Sequence, residues 1–280
     1  MMIIADSGST KTDWRLVDKK GLVSIQKTSG LNPAVNDVTY IEKEIKHTFS
    51  EQADNQKVEK VFYYGAGCWN ESACGIVKKA INKVFPNSAI TVESDLLGAA
   101  RALCGHQEGI ACILGTGANS CHFDGHQVLD QIPALGYIIG DEGSGADLGK
   151  RLLSAYFYRE LSLPIAEKLK SRYALSKAQL LDHVYKKSNA NSYLASFVPF
   201  ILQEKTDPVI RQIIYTSLNT FVERQLLKYQ GIKKLPVHFV GSVAYLLQNE
   251  LLSILDKHQL LSGKILQKPI DGLIVYHNQY

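Results

Sequence analysis

The stretch that decides the fold is "IIADSGSTKTDWRLVD", residues 3 to 18. An apolar run ends in an aspartate, a turn of small and hydroxyl residues follows, and apolar residues then resume. Glycine and serine in such a tight turn let backbone N–H groups converge on an anion, because no large side chain blocks the approach. The stretch therefore predicts a phosphate-binding hairpin, although Gly, Ser and Asp also build ordinary turns.

The composition indicates a folded protein without the features of a nucleic-acid or membrane partner. The 280 residues are 45% apolar, which is ample for packed cores, and the formal charge is +4. Basic residues are scattered rather than clustered, and no apolar run approaches the roughly 20 residues that span a bilayer. The first residues lack the basic flank of a signal peptide. Five cysteines without a CxxC pair argue against disulfides or a zinc site, so we expect a cytoplasmic protein.

The order of predicted elements repeats along the chain. In the first half, strands at 3–6, 12–18 and 22–27 precede a helix at 37–49, a strand at 58–64, a helix at 72–85, a strand at 90–93 and a helix at 96–103. Strands at 110–114, 120–123 and 126–130 restart the same order, and a strand entering a helix follows at 235–245. The sequence predicts an α/β protein of two related domains, residues 1–104 and 105–280, around a central cleft.

The second domain carries a predicted helical insert at about 145–231, where no strand pattern occurs. One helix begins at a capping-box pattern formed by Ser176 and Gln179. Another has Asp207 as its cap and Pro208 as its first residue, and Gly231 is the predicted stop.

Familiar phosphate motifs do not account for the glycines. The Gly149-Lys150 pair lacks the first glycine of a P-loop, and Gly115-Thr116-Gly117 lacks the third glycine of a dinucleotide-binding fingerprint. The turn at 115–117 instead offers the same backbone donors as the first turn. Two such hairpins together predict a nucleotide site, in which Asp6 holds Mg²⁺ through water. The first hairpin would contact phosphate through Ser7, Gly8, Ser9, Thr10 and Lys11.

Five motifs fall in an order that resembles a known superfamily: "DSGSTKTD", "ESDLLGAARAL", "LGTGANS", "GDEGSG" and "VGSVAY". The chain resembles the actin/hexokinase/Hsp70-type ATPases, and within them the group joining N-acetylglucosamine kinases to the BadF/BadG/BcrA/BcrD-type ATPases. The resemblance implies two duplicated βββαβαβ domains of the ribonuclease H-like, actin-like type around an ATP cleft. It also implies that 6–13 and 115–119 match the phosphate segments, and that Gly241-Ser242-Val243 matches the adenosine segment.

The resemblance further implies a catalytic base and a sugar pocket. Asp95 matches the base of the similar kinases, whereas the residues alone predict a helix cap at this position. Asp141 matches a sugar-binding aspartate, and Glu142 matches less well. Asn119 and Asn32 match sugar-binding asparagines. From the residues alone, the acidic pair forms a solvated turn and Asn32 before a proline is a turn former.

Two functions remain open at the level of sequence. The first is an ATP- and Mg²⁺-dependent kinase for N-acetylglucosamine or a related amino sugar. Leu135 stands where the vertebrate enzyme has a tryptophan, which leaves the sugar undetermined. The second is an ATPase that activates a partner dehydratase or reductase and holds an iron–sulfur cluster at a homodimer interface. Its cysteines would have to come from Cys104, Cys112 and Cys121, and Cys112 lies in a predicted buried strand.

Overall fold

The computed structural model describes residues 1–8, 10–19, 21–49 and 57–278. The chain forms two compact units, and each contains a five-stranded mixed sheet. The first unit consists of Met1–Gln107, Gly125–Gln127 and the stretch from Lys268 onward. The second consists of Glu108–Asp124 and Val128–Gln267. The predicted α/β class with two sheets is confirmed.

In the first unit, the sheet order is β3-β2-β1-β4-β5. Its elements are β1 (Met2–Ser7), β2 (Lys11–Asp18), β3 (Gly21–Ser29), α1 (Val38–Phe49), β4 (Lys60–Gly65), α2 (Glu71–Val84), β5 (Ala89–Ser94) and α3 (Asp95–Cys104). Side chains alternate between the two faces of a strand, so Ile3 and Ala5 enter one buried cluster and Ile4 enters another. Strand β1 is therefore covered on both faces, as its unbroken apolar run predicts.

The second unit repeats this topology, with the sheet order β8-β7-β6-β9-β10. In both units the central strand pairs antiparallel with its hairpin partner and parallel with the strand on its other side. The strands are β6 (Gly109–Leu114), β7 (Ala118–Phe123), β8 (Val128–Asp130), β9 (Pro236–Val240) and β10 (Leu261–Leu266). The predicted duplication is confirmed. Strand β10 was not predicted, because Ser262, Gly263 and Lys264 interrupt its apolar pattern at the sheet edge.

Helices fill the rest of the second unit. They are α4 (Gly136–Ile139), α5 (Gly145–Phe157), α6 (Leu163–Tyr173), α7 (Lys177–Tyr185), α8 (Ala190–Ala195), α9 (Val198–Gln203), α10 (Pro208–Arg224), α11 (Ser242–Leu246) and α12 (Gln248–Lys257). Both predicted caps are confirmed, since the side chains of Ser176 and Asp207 accept backbone N–H groups of the first turn. The stop predicted at Gly231 is wrong, because α10 ends at Arg224 and a 3₁₀ turn follows.

A last helix, α13 (Pro269–His277), belongs to the first unit rather than to the second. Its Gly272 lies against Ala102 of α3, where a larger residue would collide. Its Ile270 and Leu273 share a buried cluster with Ile4 of β1. This helix covers one face of the first sheet, which explains why the sequence expectation of a domain spanning 105–280 differs from the observed units. Among the described residues, none of the helices has the length and apolar character needed to cross a bilayer.

Candidate active site

The first glycine turn connects β1 to β2. Within it, the Gly8 N–H donates to the Lys11 carbonyl over 2.9 Å. Gly8, Thr10 and Lys11 are exposed, as a phosphate-binding turn requires, whereas Ser9 lies outside the described residues. The Ser7 hydroxyl is buried and lies 2.8 Å from the Thr12 hydroxyl, and it also accepts a backbone N–H. Ser7 therefore supports the turn, and its hydroxyl is already engaged.

Two aspartates face each other beside this turn. Asp6 and Asp13 are cross-strand partners in the β1–β2 ladder, so their side chains lie on the same face. Burial, reinforced by the charges of Asp95 and Asp13, raises the pKa of Asp6 to about 7. Lys268 opposes this, because its charge lowers the pKa of Asp6 and its Nζ lies 3.3 Å from Asp13 Oδ2. The sequence analysis included Asp13 in the phosphate segment 6–13 but gave it no role of its own, although it is the cross-strand partner of Asp6.

Asp95 lies at the same edge of the sheet as the first turn. The ladder aligns Ser7 with Gly65 and Gly65 with Ser94, so β1, β4 and β5 end in one row. The cap of α3 is Ser94, whose hydroxyl accepts the Leu97 N–H over 3.2 Å. The alternative interpretation of Asp95 as the cap is therefore wrong.

The pKa of Asp95 is raised by its surroundings. Loss of hydration raises it, and the Leu96 N–H, which donates to Asp95 Oδ1 over 2.8 Å, partly opposes this effect. The charge of Asp95 also contributes to the raised pKa of Asp6. The two carboxylates therefore interact at one end of the first sheet.

The Asn32 loop lies against the first unit's sheet edge. The Tyr63 hydroxyl donates to the Leu31 carbonyl over 2.7 Å and fixes the loop on β4. The Asn32 side chain sits where a Cβ of residue 67 would be, and Gly67 has a φ of 84°. Asn32 Oδ1 accepts the Ala34 N–H over 2.8 Å. Because a backbone N–H identifies its partner as the oxygen, the Asn32 amide nitrogen is the atom left to donate.

The second glycine turn connects β6 to β7 and is joined to the start of α5. The Gly115 N–H donates to the Gly117 carbonyl over 3.0 Å. The first amides of α5, at Gly145 and Ala146, donate to the carbonyls of Gly115 and Thr116. This turn and the helix start form one hydrogen-bonded assembly.

Gly241 and Ser242 follow β9, which is paired with β6, so they lie at the same sheet edge as the second turn. A side chain at Gly241 would overlap the Leu114 carbonyl, and its φ is 124°. Only glycine is compatible with both conditions. Ser242 is exposed and begins α11.

Asp141 and Asn119 lie beside the second turn. Asp141 has a left-handed φ of 57°, and its Oδ1 accepts the Ala118 N–H over 3.3 Å. Burial raises the pKa of Asp141. Asn119 Oδ1 accepts the Ser120 N–H over 2.9 Å, which leaves its amide nitrogen as a donor. Glu142 is buried and pairs with Arg224, so a solvated acidic turn is the wrong interpretation of this pair.

The structure therefore gathers the predicted residues into two groups, one in each unit. The first unit groups the first turn with Asp6, Asn32 and Asp95. The second unit groups the second turn with Gly241, Ser242, Asn119 and Asp141.

The profile of the BadF/BadG/BcrA/BcrD ATPase family matches residues 5–273. The chain belongs to this family. The family resemblance drawn from the five motifs is thereby confirmed. No curated protein is significantly similar in sequence to this chain.

Solved structures agree with this assignment. A candidate N-acetylglucosamine kinase from Porphyromonas gingivalis is 38% identical over 100% of this chain and 99% of that chain, with a TM-score of 0.94. A second candidate N-acetylglucosamine kinase, from Chromobacterium violaceum, is 17% identical over 98% of both chains, with a TM-score of 0.75. A ROK family glucokinase from Streptomyces griseus, solved with glucose and AMPPNP, is 15% identical over 99% and 98%, with a TM-score of 0.57. The last two show the fold alone, which is the predicted actin-like ATPase fold.

Proposed function

We propose that this ATPase family member is a sugar kinase that transfers the γ-phosphoryl group of ATP to a hydroxyl of N-acetylglucosamine or a related amino sugar. The observation that carries the proposal is the position of Asp95. The partly buried carboxylate of Asp95 follows β5 and interacts electrostatically with Asp6, which precedes the first glycine turn. Phosphoryl transfer to an alcohol needs such a proton acceptor beside the phosphate-binding turn. The identity of 38% with the P. gingivalis protein over the whole chain supports the sugar class.

The reaction assigns one proton to Asp95. The sugar oxygen forms a bond to the γ-phosphorus while the bond from that phosphorus to the β–γ bridging oxygen breaks, and the electron pair leaves with ADP. The hydroxyl proton passes to the Asp95 carboxylate. A raised pKa makes this carboxylate a better proton acceptor than an exposed aspartate.

Sugar binding would use both hydrogen-bond donors and hydrogen-bond acceptors. Asn32 and Asn119 present amide nitrogens as donors, because their oxygens are already bonded to backbone N–H groups. Asp141 presents an acceptor with its position fixed by the Ala118 N–H. Hydroxyl and acetamido groups of an N-acetylated sugar supply matching acceptors and donors. In the first unit ATP would use the first glycine turn, and in the second unit it would use the second glycine turn, with Gly241 and Ser242 beside the adenosine.

The first turn could hold a Mg²⁺ ion through bridging water molecules. Asp6 and Asp13 place carboxylate oxygens side by side, and Asp13 Oδ1 is buried without a hydrogen bond in the described part of the chain. Among the described residues, no three or more His, Cys, Asp or Glu side chains form a direct metal cage. Asp6, supported by Asp13, would hold the ion through water, which suits the preference of Mg²⁺ for oxygen ligands and retained waters. When bound, Mg²⁺ would offset the charge of the phosphates.

The proposal is tested with purified protein by measuring ATP consumption against a panel of N-acetylated and free amino sugars. We expect one sugar class to stimulate ATP consumption strongly. An iron determination on the same preparation addresses the activator alternative. Sugar-independent hydrolysis together with bound iron would overturn the kinase and favour the activator. The burial of Cys104, Cys112 and Cys121 supports the kinase, since a cluster shared between subunits needs surface cysteines.

A further inference from the structure

The turn that carries Asp141 has a conformation that needs support from its surroundings. Asp141 has a φ of 57° and Gly143 a φ of 79°, so two residues of this short turn are left-handed. A residue with a Cβ adopts this region rarely, because the Cβ approaches the backbone. Such a conformation persists only where neighbouring structure enforces it.

Helix α10 of the helical insert supplies that support at two points. Phe221 fills the space beside Gly143, where a Cβ would come within 2.9 Å of the Phe221 Cβ. Arg224, one helical turn further along the same face, reaches Glu142 with an Nη1 to Oε1 distance of 2.6 Å. The Glu142 side chain is only 10% exposed, while that of Arg224 is 64% exposed. Arg224 thus reaches in from the surface to neutralise a buried carboxylate in the middle of the turn.

The turn is connected directly to the second glycine turn. Asp141 accepts the Ala118 N–H through its side chain and the Ser144 N–H through its carbonyl, at 3.3 Å and 3.1 Å. A side chain at Gly117 would come within 3.0 Å of the Asp141 carboxylate. Any shift of the turn therefore displaces Asp141 relative to the glycine turn.

We propose that Arg224 is a positioning residue that acts through Glu142 to hold the Asp141 carboxylate in place. Arg224 contacts no part of the proposed chemistry itself. It fixes the turn on α10, which gives the helical insert a function in the site. The stabilisation of the Asp141 turn by Arg224 does not depend on any ligand, whereas its consequence for sugar affinity rests on the proposed function.

The test compares Arg224→Met with Arg224→Lys and with the control Lys168→Met. Lys168 also forms an ion pair with a mostly buried glutamate, Glu204, within the same insert. Arg224→Met should accelerate amide hydrogen exchange at Ala118 and Ser144 by about tenfold or more, the scale of a lost charge-assisted hydrogen bond. Lys at position 224 should restore most of the protection. The control should leave both amides unchanged.

Kinetics provide the second readout. Arg224→Met should raise KM for the amino sugar by about tenfold and leave kcat within about twofold, because a displaced Asp141 weakens binding rather than chemistry. Unchanged exchange at both amides would overturn the inference whether or not the protein is a kinase. Faster amide exchange with an unchanged KM would show that Arg224 stabilises the Asp141 turn, and it would overturn the claim that this turn affects sugar affinity. A wild-type protein that phosphorylates no sugar would refute the proposed function, and the exchange result would still decide the role of Arg224.

Discussion

At the scale of single residues, Ser94 and Asp95 are neighbours with separable tasks. Ser94 caps α3, and Asp95 is left to face the end of the sheet beside Asp6. The residues alone favour the cap at Asp95 and only the family resemblance indicates the base, because both roles need an oxygen at a helix start. Only the hydrogen bond from the Leu97 N–H to Ser94 assigns the cap.

Substitution of Asp95 tests its role as the base. Asp95→Asn should lower kcat by about 100-fold or more and leave ATP affinity and thermal stability close to wild type. The amide oxygen can still accept the Leu96 N–H, so the start of α3 should be preserved. The measurement is steady-state kinetics together with ATP titration.

Ser94→Ala is the matched control for this prediction. It should lower the free energy of unfolding by about 1 kcal/mol, the usual contribution of an N-cap, and change kcat much less than Asp95→Asn does. Near-normal turnover of Asp95→Asn would remove Asp95 from the mechanism.

The pKa of Asp6 predicts a pH dependence of stability. Its folded value of about 7 lies above the ordinary 3.8. Between pH of about 4 and about 7 the unfolded chain therefore releases a proton that the folded protein retains, so stability falls as pH rises through this window. Asp6→Asn has no proton to release and lacks this contribution.

Thermal unfolding of wild type and Asp6→Asn, in chelator and without nucleotide, checks this sign. The unfolding temperature of the variant should rise relative to that of the wild type as pH rises from about 4 to about 7. The difference between the two proteins cancels the titrating groups that do not interact with Asp6. Parallel pH profiles would contradict the assigned burial of this carboxylate.

At the scale of elements, the glycines of the site differ in what they tolerate. At Gly8 the nearest atom to an added Cβ is the Lys11 carbonyl at 3.8 Å, and at Gly115 nothing lies within 4 Å. Gly241 instead has no room for a side chain. The first two are therefore open positions on the phosphate turns, while Gly241 is also required for packing.

Gly8→Leu and Gly115→Leu should each abolish measurable ATP binding in a folded protein. A side chain at either position would occupy the space above the backbone donors that the phosphates need. Isothermal titration with MgATP, with circular dichroism to confirm folding, provides the measurement. Gly115 is preferable to Gly117 because a change at Gly117 also disturbs Asp141.

Gly75→Leu is the control for these turn variants. Gly75 lies in α2 of the first unit and also has nothing within 4 Å of an added Cβ. Its replacement should leave ATP binding unchanged. Retained ATP affinity in Gly115→Leu would show that the second turn is structural only.

At the scale of the whole molecule, the sequence predicts what local patterns encode. Strands and caps follow from alternation and from residues such as Asp207, and the two matching sheets follow from the repeated order. Strand β10 and the placement of α13 depend on tertiary contacts, such as Gly272 against Ala102, that leave no periodic signal. Arg224 was missed for the same reason, since it meets Glu142 only after α10 folds over the turn.

A kinase donates the phosphoryl group of ATP to a sugar rather than to water. The most direct measurement is the ratio of sugar phosphate formed to ATP consumed, with N-acetylglucosamine and related amino sugars as acceptors. A kinase with Asp95 as its base should form one sugar phosphate for each ATP and hydrolyse little ATP without sugar. ATP hydrolysis that proceeds at the same rate with and without every amino sugar, and yields no sugar phosphate, would show that the protein is not an amino-sugar kinase.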